Sequence, residues 1–323
     1  IRICLVGSEM CIRDRLFSVA NKNGVKLLYE SSVCAGTPII KLLNQELAAS
    51  KISKISGMLN GTSNFILSNM EEGMEFEPTL KLAQEKGYAE PDPSFDIEGT
   101  DAAHKIGILS SLAFGSSLPP KDFYIEGING IHKDDFKYAY EMGYTIKHLA
   151  IAKSTNNSID LRAHPSLVKL DSYLANLKGV RNGIEVETDL LGTLHIAGSG
   201  AGQEATASGV ISDLIYLSDT KIREVNNINE TIELIDFIDL DFQYYFYIEA
   251  SDVSGVMASI SSIFANKDVS IESISQKENL NDDLVPIIII TDPFKEKDYQ
   301  ELVDNLLALD SVNKIRSIRI EPQ

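Results

Sequence analysis

Residues 87–105, GYAEPDPSFDIEGTDAAHK, place five carboxylates and one lysine in nineteen positions and run directly into the apolar stretch IGILSSLAFG. Asp101 and Lys105 are four apart. The apolar spacing of DAAHKIGILSSL predicts a helix, on which positions i and i+4 share a face, so an acid and a base project together. Glu90, Asp92 and Asp96 come before them in a stretch punctuated by Pro91 and Pro93, and proline forces extended or turn geometry on the residue ahead of it. Such a loop wraps carboxylates around a helix start. An acid cluster beside one amine suits a small cationic ligand, such as the ammonium group of an amino acid, and leaves the lysine to protonate a developing alkoxide. The residue types also fit a blander arrangement, a solvated acidic loop in front of a core helix, which is the usual fate of a charge run.

The elements that must position these groups read as two units and a joint. From residue 31 to 217 apolar helices alternate with strand-like runs such as KISKISGML, FYIEGI and IEVETDLLGTLHIAG, the last interrupted by Gly192. That alternation predicts an α+β domain with an open sheet. Residues 218–243 are acidic, lack a regular period and read as a connector. The remainder, 244–323, reads strand (YYFYIEAS), helix (GVMASISSIFANK), strand (SIESISQK), buried strand (VPIIIITD), helix (DYQELVDNLLAL), strand (KIRSIRIE). This βαββαβ order is the ferredoxin-like arrangement. Before these units, LFSVANKNGVKLLYE reads as a helix end, a turn at Asn23-Gly24 and a strand VKLLYE.

Composition narrows the class. The 323 residues allow two or three domains, and 44% hydrophobic residues suffice for packed cores. With 29 basic and 47 acidic residues the net charge is −18, which argues against nucleic acid and anionic membrane as partners. No apolar run approaches the roughly 20 residues of a membrane span, and no signal-peptide pattern opens the sequence. Three cysteines, two of them at Cys4 and Cys11, make a disulfide framework implausible and point to a cytoplasmic protein. Cys34 reads as a small core residue.

Three long strings, GMLNGTSNFIL at 57–67, LAQEKGYAEPDPSFDIEGTDAAHK at 82–105 and GSGAGQEATASGVISDL at 198–214, together resemble homoserine dehydrogenase in order and approximate spacing. The resemblance covers residues 16–217 as the catalytic region, and the part after Tyr244 resembles the ACT domain appended to many bacterial members. It implies NAD(P)-dependent interconversion of L-aspartate 4-semialdehyde and L-homoserine, on the route to threonine, methionine and isoleucine. Under it Lys105 matches the proton donor to the carbonyl oxygen, and Asp101 the acid that binds substrate and helps place that lysine. Glu90 matches the glutamate that takes the substrate amino group, with Asp96 a second acid nearby, while Asn60 and Thr62 line the substrate pocket. Gly87 and Gly202 match glycines that let backbone approach the cofactor, NADP or NAD. Glu30, Val33, Ala35 and Thr37 fall on a monovalent, sodium-type cation site built mostly from backbone carbonyls. The first strand-to-helix turn of the tail, ASDVSGVMASI, corresponds to an amino-acid effector site. There Ser254 stands where proline is usual, and 266–268 lacks the usual glycine, although Asn and Asp tolerate the left-handed conformation such a turn needs. A homo-oligomer is expected.

Some of the family pattern is not met. ICLVGSEM carries a single Gly7 and no GxGxxG follows it, whereas a dinucleotide domain places a glycine-rich turn after its first strand. The expectation is therefore a non-native leader at 1–15, a Rossmann-type remnant at 16–30, and a truncated chain inactive by itself. Ala20, Asn21 and Lys22 repeat a catalytic string of the family at the wrong spacing, so Lys22 reads as a solvated helix residue. In 205–218 the apolar stripe of Val210, Ile211, Leu214, Ile215 and Leu217 lies on the helix that the family packs against its cofactor domain, and is expected to be exposed. The competing functional reading is an amino-acid-binding regulatory fragment without turnover.

Overall fold

The computed structural model describes residues 16, 19, 20, 22–115, 123–156, 158–218, 232–277 and 283–322. The expected leader at 1–15 and half of the expected connector, 219–231, lie outside the described residues. In chain order the elements are β1 (Ile52–Met58), α1 (Gly61–Glu71), α2 (Phe76–Glu85), α3 (Thr100–Phe114), β2 (Tyr124–Ile125), α4 (Lys133–Glu141), β3 (Tyr144–Thr155), β4 (Ser158–Lys169), β5 (Arg181–Thr188), β6 (Gly192–Ser199), α5 (Gln203–Ser218) and β7 (Glu233–Leu234). There follow β8 (Asp241–Ser251), α6 (Val256–Asn266), β9 (Ile271–Gln276), β10 (Leu284–Thr291), β11 (Phe294–Lys295), α7 (Glu296–Leu307) and β12 (Val312–Ile320). The chain divides into two compact units, one of Ile1–Lys133, Lys147–His164 and Tyr173–Ile235, the other of Asp134–Ile146, Pro165–Ser172 and Asp236–Gln323.

In the first unit the strands run in the order β6-β5-β1-β3-β4. β1 is central and antiparallel to both neighbours, with Ile55 opposite Val186 on one side and Ala152 on the other. β5 and β6 form the hairpin that the Gly192 break foreshadows, Ile184 facing Ile196. The short β2 and β7 each add in parallel to β4. α3 covers this sheet because its apolar residues fall at helical spacing: Ala102, Ala103, Ile106 and Leu109 pack with Ile55, Ala150, Ala152, Ile184 and Val186. All nine of those side chains are fully buried. The helix opens at Gly99, in the left-handed region at φ 84°, and closes at Gly115, at φ 65°, a conformation glycine adopts without steric cost.

One expectation fails here. Residues 25–29 form no strand, and Glu30–Ser32 is a single 3-10 turn. The apolar letters of VKLLYE suggest a buried ladder, but Val25 is 59% exposed. The long β3–β4 pair is not anticipated, because Lys147, His148, Asp160, Arg162 and His164 interrupt its apolar pattern and yet are buried. Lys147 Nζ donates to the Leu177 carbonyl at 3.1 Å, and Arg162 pairs with Asp160, so these groups carry their partners with them into the interior.

The second unit takes in Asp134–Ile146 and Pro165–Ser172, which the sequence reading assigns to the first domain, and its remainder follows the expected strand and helix order. Its strand order is β12-β8-β10-β9, all antiparallel, with Ile248 of β8 opposite Ile287 and Ile315. The core joins Phe246, Ile248, Ile287 and Ile289 to Val256, Ile260 and Phe264 of α6 and Leu302 and Leu306 of α7. β10 reads as a continuous apolar run because both its faces are buried. Asp268 takes the left-handed conformation at φ 53° where a glycine is usual, and α6 starts from Gly255 at φ 95°.

Candidate functional site

The site grows from the end of β1. Asn60 follows the strand and caps α1, its Oδ1 accepting the Ser63 amide at 2.8 Å, the role for which Asn is favoured at a helix start. Its other end reaches across to two acids: Nδ2 donates to Asp96 Oδ1 at 2.7 Å and to Asp101 Oδ2 at 2.8 Å. Asp101 lies in the first turn of α3, where the helix dipole favours a negative charge. One turn on, Lys105 Nζ lies 2.6 Å from Asp101 Oδ2 and donates to the Leu59 carbonyl at 2.9 Å. Ser63 Oγ donates to the Asp96 carbonyl at 3.0 Å, and Thr62 Oγ1 to the Tyr88 carbonyl at 2.7 Å. Asn60, Asp96, Asp101 and Lys105 thus form one hydrogen-bonded quartet held by β1, α1, the acidic loop and α3.

Electrostatics bias its protonation. Burial, the largest single influence on Lys105, disfavours the ammonium, but the Asp101 carboxylate, with Cys34 and Asp96, outweighs it and holds the lysine above its ordinary value. Lys105 therefore carries its proton at neutral pH. Asp96 shifts up because burial and the neighbouring Asp101 charge penalise its carboxylate, and the Asn60 bond recovers only part of that. The arrangement holds a proton on a nitrogen beside two acids, which suits delivery of that proton to an oxygen gaining charge.

Beside the quartet lies a tight turn. Glu30 is buried, and its carboxylate accepts the amides of Ile40 and Lys41 at 2.8 and 2.9 Å. Burial raises its pKa despite those bonds. Its own amide donates to Asp213 Oδ2 at 3.0 Å, and Asp213 pairs with Lys41 at 3.0 Å. Cys34 and Ala35 are consecutive non-glycine residues in the left-handed region, at φ 56° and 53°, a costly conformation kept only where the surroundings impose it. Those surroundings leave no room. A side chain at Gly36 would strike the Ala205 carbonyl, and one at Gly198 the hydroxyl of Thr37.

With that geometry in hand, the comparisons with known proteins are decisive. The family profile described as homoserine dehydrogenase matches residues 38–215. The homoserine dehydrogenase of Neisseria gonorrhoeae is 40% identical over 320 residues, covering 95% of this chain and 74% of that protein. The chain belongs to the homoserine dehydrogenase family. That of Pseudomonas aeruginosa is likewise 40% identical, over 95% of this chain and 74% of its own length. A crystal structure of a homoserine dehydrogenase from Thiobacillus denitrificans matches with a TM-score of 0.87 and 38% identity over 96% of this chain and 73% of that one. A hyperthermophilic archaeal homoserine dehydrogenase in complex with NADPH matches with a TM-score of 0.56 and 30% identity, over 66% of this chain and 61% of that one. The activity is accordingly that of an oxidoreductase of amino-acid biosynthesis, interconverting L-aspartate 4-semialdehyde and L-homoserine.

Within a homoserine dehydrogenase the residues expected from sequence distribute unevenly. Asn60, Asp96, Asp101 and Lys105 come together, and Thr62 sits in the first turn of the helix that Asn60 caps. Glu90 is exposed on the loop after α2, its carbonyl accepting Gln84 Nε2 at 3.1 Å. Gly87 and Gly202 take φ 73° and 116°, with open space where a Cβ would stand. Lys22 is exposed. The stripe on α5 is exposed too, Ile215 at 66%. Sequence reasoning missed Asn182, whose carboxamide reaches Leu59 beside the quartet. It missed His148 as well, a buried ring whose Nε2 lies 2.9 Å from the Glu126 carbonyl.

Proposed function

We propose that Lys105 is the proton donor of the reaction and that Asp101 both binds substrate and keeps the lysine protonated. The observation that carries this is the Lys105 ammonium held between Asp101 Oδ2 and the Leu59 carbonyl. In the reducing direction the proton on Nζ passes to the carbonyl oxygen of the semialdehyde as hydride reaches its carbon. In the oxidising direction the neutral amine takes the hydroxyl proton of homoserine. Glu90 and Asp96 receive the substrate ammonium, and Asn60 and Thr62 line the pocket. NADP, or NAD, supplies or accepts the hydride when bound. Backbone at Gly202 and Gly87 approaches it, a reading supported by left-handed turns with no side chain to obstruct a ligand and by the first turn of α5 that follows Gly202.

In a protein with a native dinucleotide-binding domain in place of residues 1–15, changing Lys105→Ala should lower turnover, followed by nicotinamide absorbance, on the order of 100-fold. Glu90→Ala should act mainly on KM. Near-normal turnover in the lysine variant, with loss in the glutamate variant, would reverse these roles.

The carbonyls of Glu30, Val33, Ala35 and Thr37 are proposed to hold a sodium-type cation. Support comes from the left-handed pair at 34–35 and from a buried Thr37 hydroxyl without a protein partner. Carbonyl oxygens suit a hard cation. Residues 244–323 are proposed to be an ACT domain that takes an amino-acid effector at the turn around Gly255, on the strength of the βαββαβ order. The protein is proposed to be a cytoplasmic homo-oligomer. Among the described residues no helix is long and apolar enough to cross a membrane.

A further inference from the structure

Asn182 is the second residue of β5 and is 1% exposed. Its Nδ2 donates to the Leu59 carbonyl at 2.9 Å and lies 3.2 Å from Cys34 Sγ. The Leu59 carbonyl is the oxygen that receives Lys105. A carbonyl has two lone pairs, and here each meets one donor, a neutral amide on one side and the ammonium on the other. Leu59 also joins β1 to the Asn60 cap, so a fixed Leu59 peptide fixes where Asn60 enters between Asp96 and Asp101.

Stability does not account for this residue. Asn182 Oδ1 is buried with no hydrogen-bond partner, and leaving a buried acceptor unmade costs about 1–3 kcal/mol. Leucine, with nearly the same branched shape, carries no such cost. The chain also makes room for the carboxamide. A Cβ on Gly200 would collide with its Oδ1, Cγ and Nδ2 together. An amide enclosed this closely, with its donor end alone in use, is placed for what that donor touches.

We propose that Asn182 is a positioning residue for Lys105, clamping the Leu59 carbonyl against which the ammonium is aimed, and that Gly200 is a glycine so that this carboxamide fits. The proposal rests on Lys105 as proton donor, and the test separates the two. Asn182→Leu should keep or raise the melting temperature while kcat for homoserine oxidation falls on the order of 10-fold, since small misplacements of a catalytic group cost at least that much, and KM changes less than about 3-fold. Gly200→Ala should lower kcat in the same way. Gly200→Ala combined with Asn182→Ala should be no slower than Asn182→Ala alone, because the collision is then relieved. Independently of turnover, acetic anhydride labelling of Lys105, read by peptide mass spectrometry across pH, should be several-fold faster in Asn182→Leu than in the parent, with other lysines unchanged. Parental kcat and parental labelling in Asn182→Leu would overturn the proposal. So would additive losses in the Gly200 and Asn182 variants, or a kcat loss that merely tracks a lower melting temperature with all lysines labelled faster. If instead Lys105→Ala keeps its turnover, the proton-donor role fails, while the labelling still decides whether Asn182 positions the amine.

Discussion

Lys105 Nζ lies 2.6 Å from Asp101 Oδ2, one helical turn away on α3 and largely shielded from water. On an exposed helix such a pair contributes a few tenths of a kcal/mol. In this setting its main effect is on protonation, because burial by itself would strip the lysine of its charge and the carboxylate opposes that.

The pH dependence follows with a definite sign. Carbonyl reduction uses the ammonium, so its rate should hold through neutral pH and fall only as pH rises through the elevated Lys105 value. Homoserine oxidation uses the neutral amine and should rise over the same alkaline range. In Asp101→Asn the attraction is gone and burial remains, so both limbs should move to lower pH. Profiles of kcat in each direction check this. Limbs that stay in place, or move upward, would contradict the coupling.

Asn60 serves a helix and a charge cluster at once, and two variants separate those duties. Asn60→Ala should lose the α1 cap, worth about 1 kcal/mol, and the shared bonds to two carboxylates, each of the charged kind worth about 1.5–3 kcal/mol. Asn60→Asp keeps a capping oxygen for the Ser63 amide but sets a third carboxylate against Asp96 and Asp101. It should therefore turn over poorly and, at neutral pH, melt no higher than Asn60→Ala, because repulsion among three buried carboxylates outweighs the kept cap. Denaturation and steady-state kinetics on the same samples measure both. Parental melting temperature and parental activity in Asn60→Asp, with destabilisation in Asn60→Ala alone, would leave Asn60 as a cap alone.

Asp96 carries a stability cost at working pH. Its carboxyl is raised in the folded protein by burial and by the Asp101 charge, so its contribution is fully present below the ordinary aspartate value and is lost as pH rises through the raised one. Asp96→Asn keeps an oxygen for Asn60 Nδ2 and removes the charge. Its melting temperature should match the parent's in acid and exceed it at neutral pH, by about 2–4 °C for each kcal/mol regained, while KM for homoserine rises. A deficit at neutral pH that vanishes in acid would have the opposite sign and refute the assignment.

Much of this site can be read from the residue pattern because its chemistry is local in sequence. Asp101, Lys105 and the acids before them share one loop and one helix, and i, i+4 spacing puts the central pair on one face without knowledge of the fold. The second unit is similarly legible, since its strands and helices differ in period and Asp268 accepts the left-handed turn that glycine usually fills. Asn182 is different. It stands 123 residues from Leu59, and only the pairing of β5 beside β1 brings them together. The glycines at 36, 198 and 200 belong to the same class, for each is required by a distant neighbour rather than by its own turn. β3 and β4 escape notice for another reason. Buried Lys147, Asp160 and Arg162 look like surface residues until their partners are seen.

Buried charge also governs the second unit. Arg319 Nη2 lies 2.6 Å from Glu296 Oε1, with Nε 3.2 Å from Oε2, and both side chains are under 10% exposed. Tyr244 Oη donates to the same carboxylate, and the guanidinium lies 5.4 Å from the Tyr244 ring centroid. Removing one partner leaves the other charge in an apolar core, so Arg319→Met should destabilise this unit by about 3–5 kcal/mol. Replacing the pair, in Arg319→Met with Glu296→Gln, removes both charges and leaves an acceptor for Tyr244. The double variant should recover at least half of that loss. Thermal unfolding of the two variants measures it, and a double variant that melts below the single one would show that the pair stabilises through its own attraction rather than by mutual neutralisation.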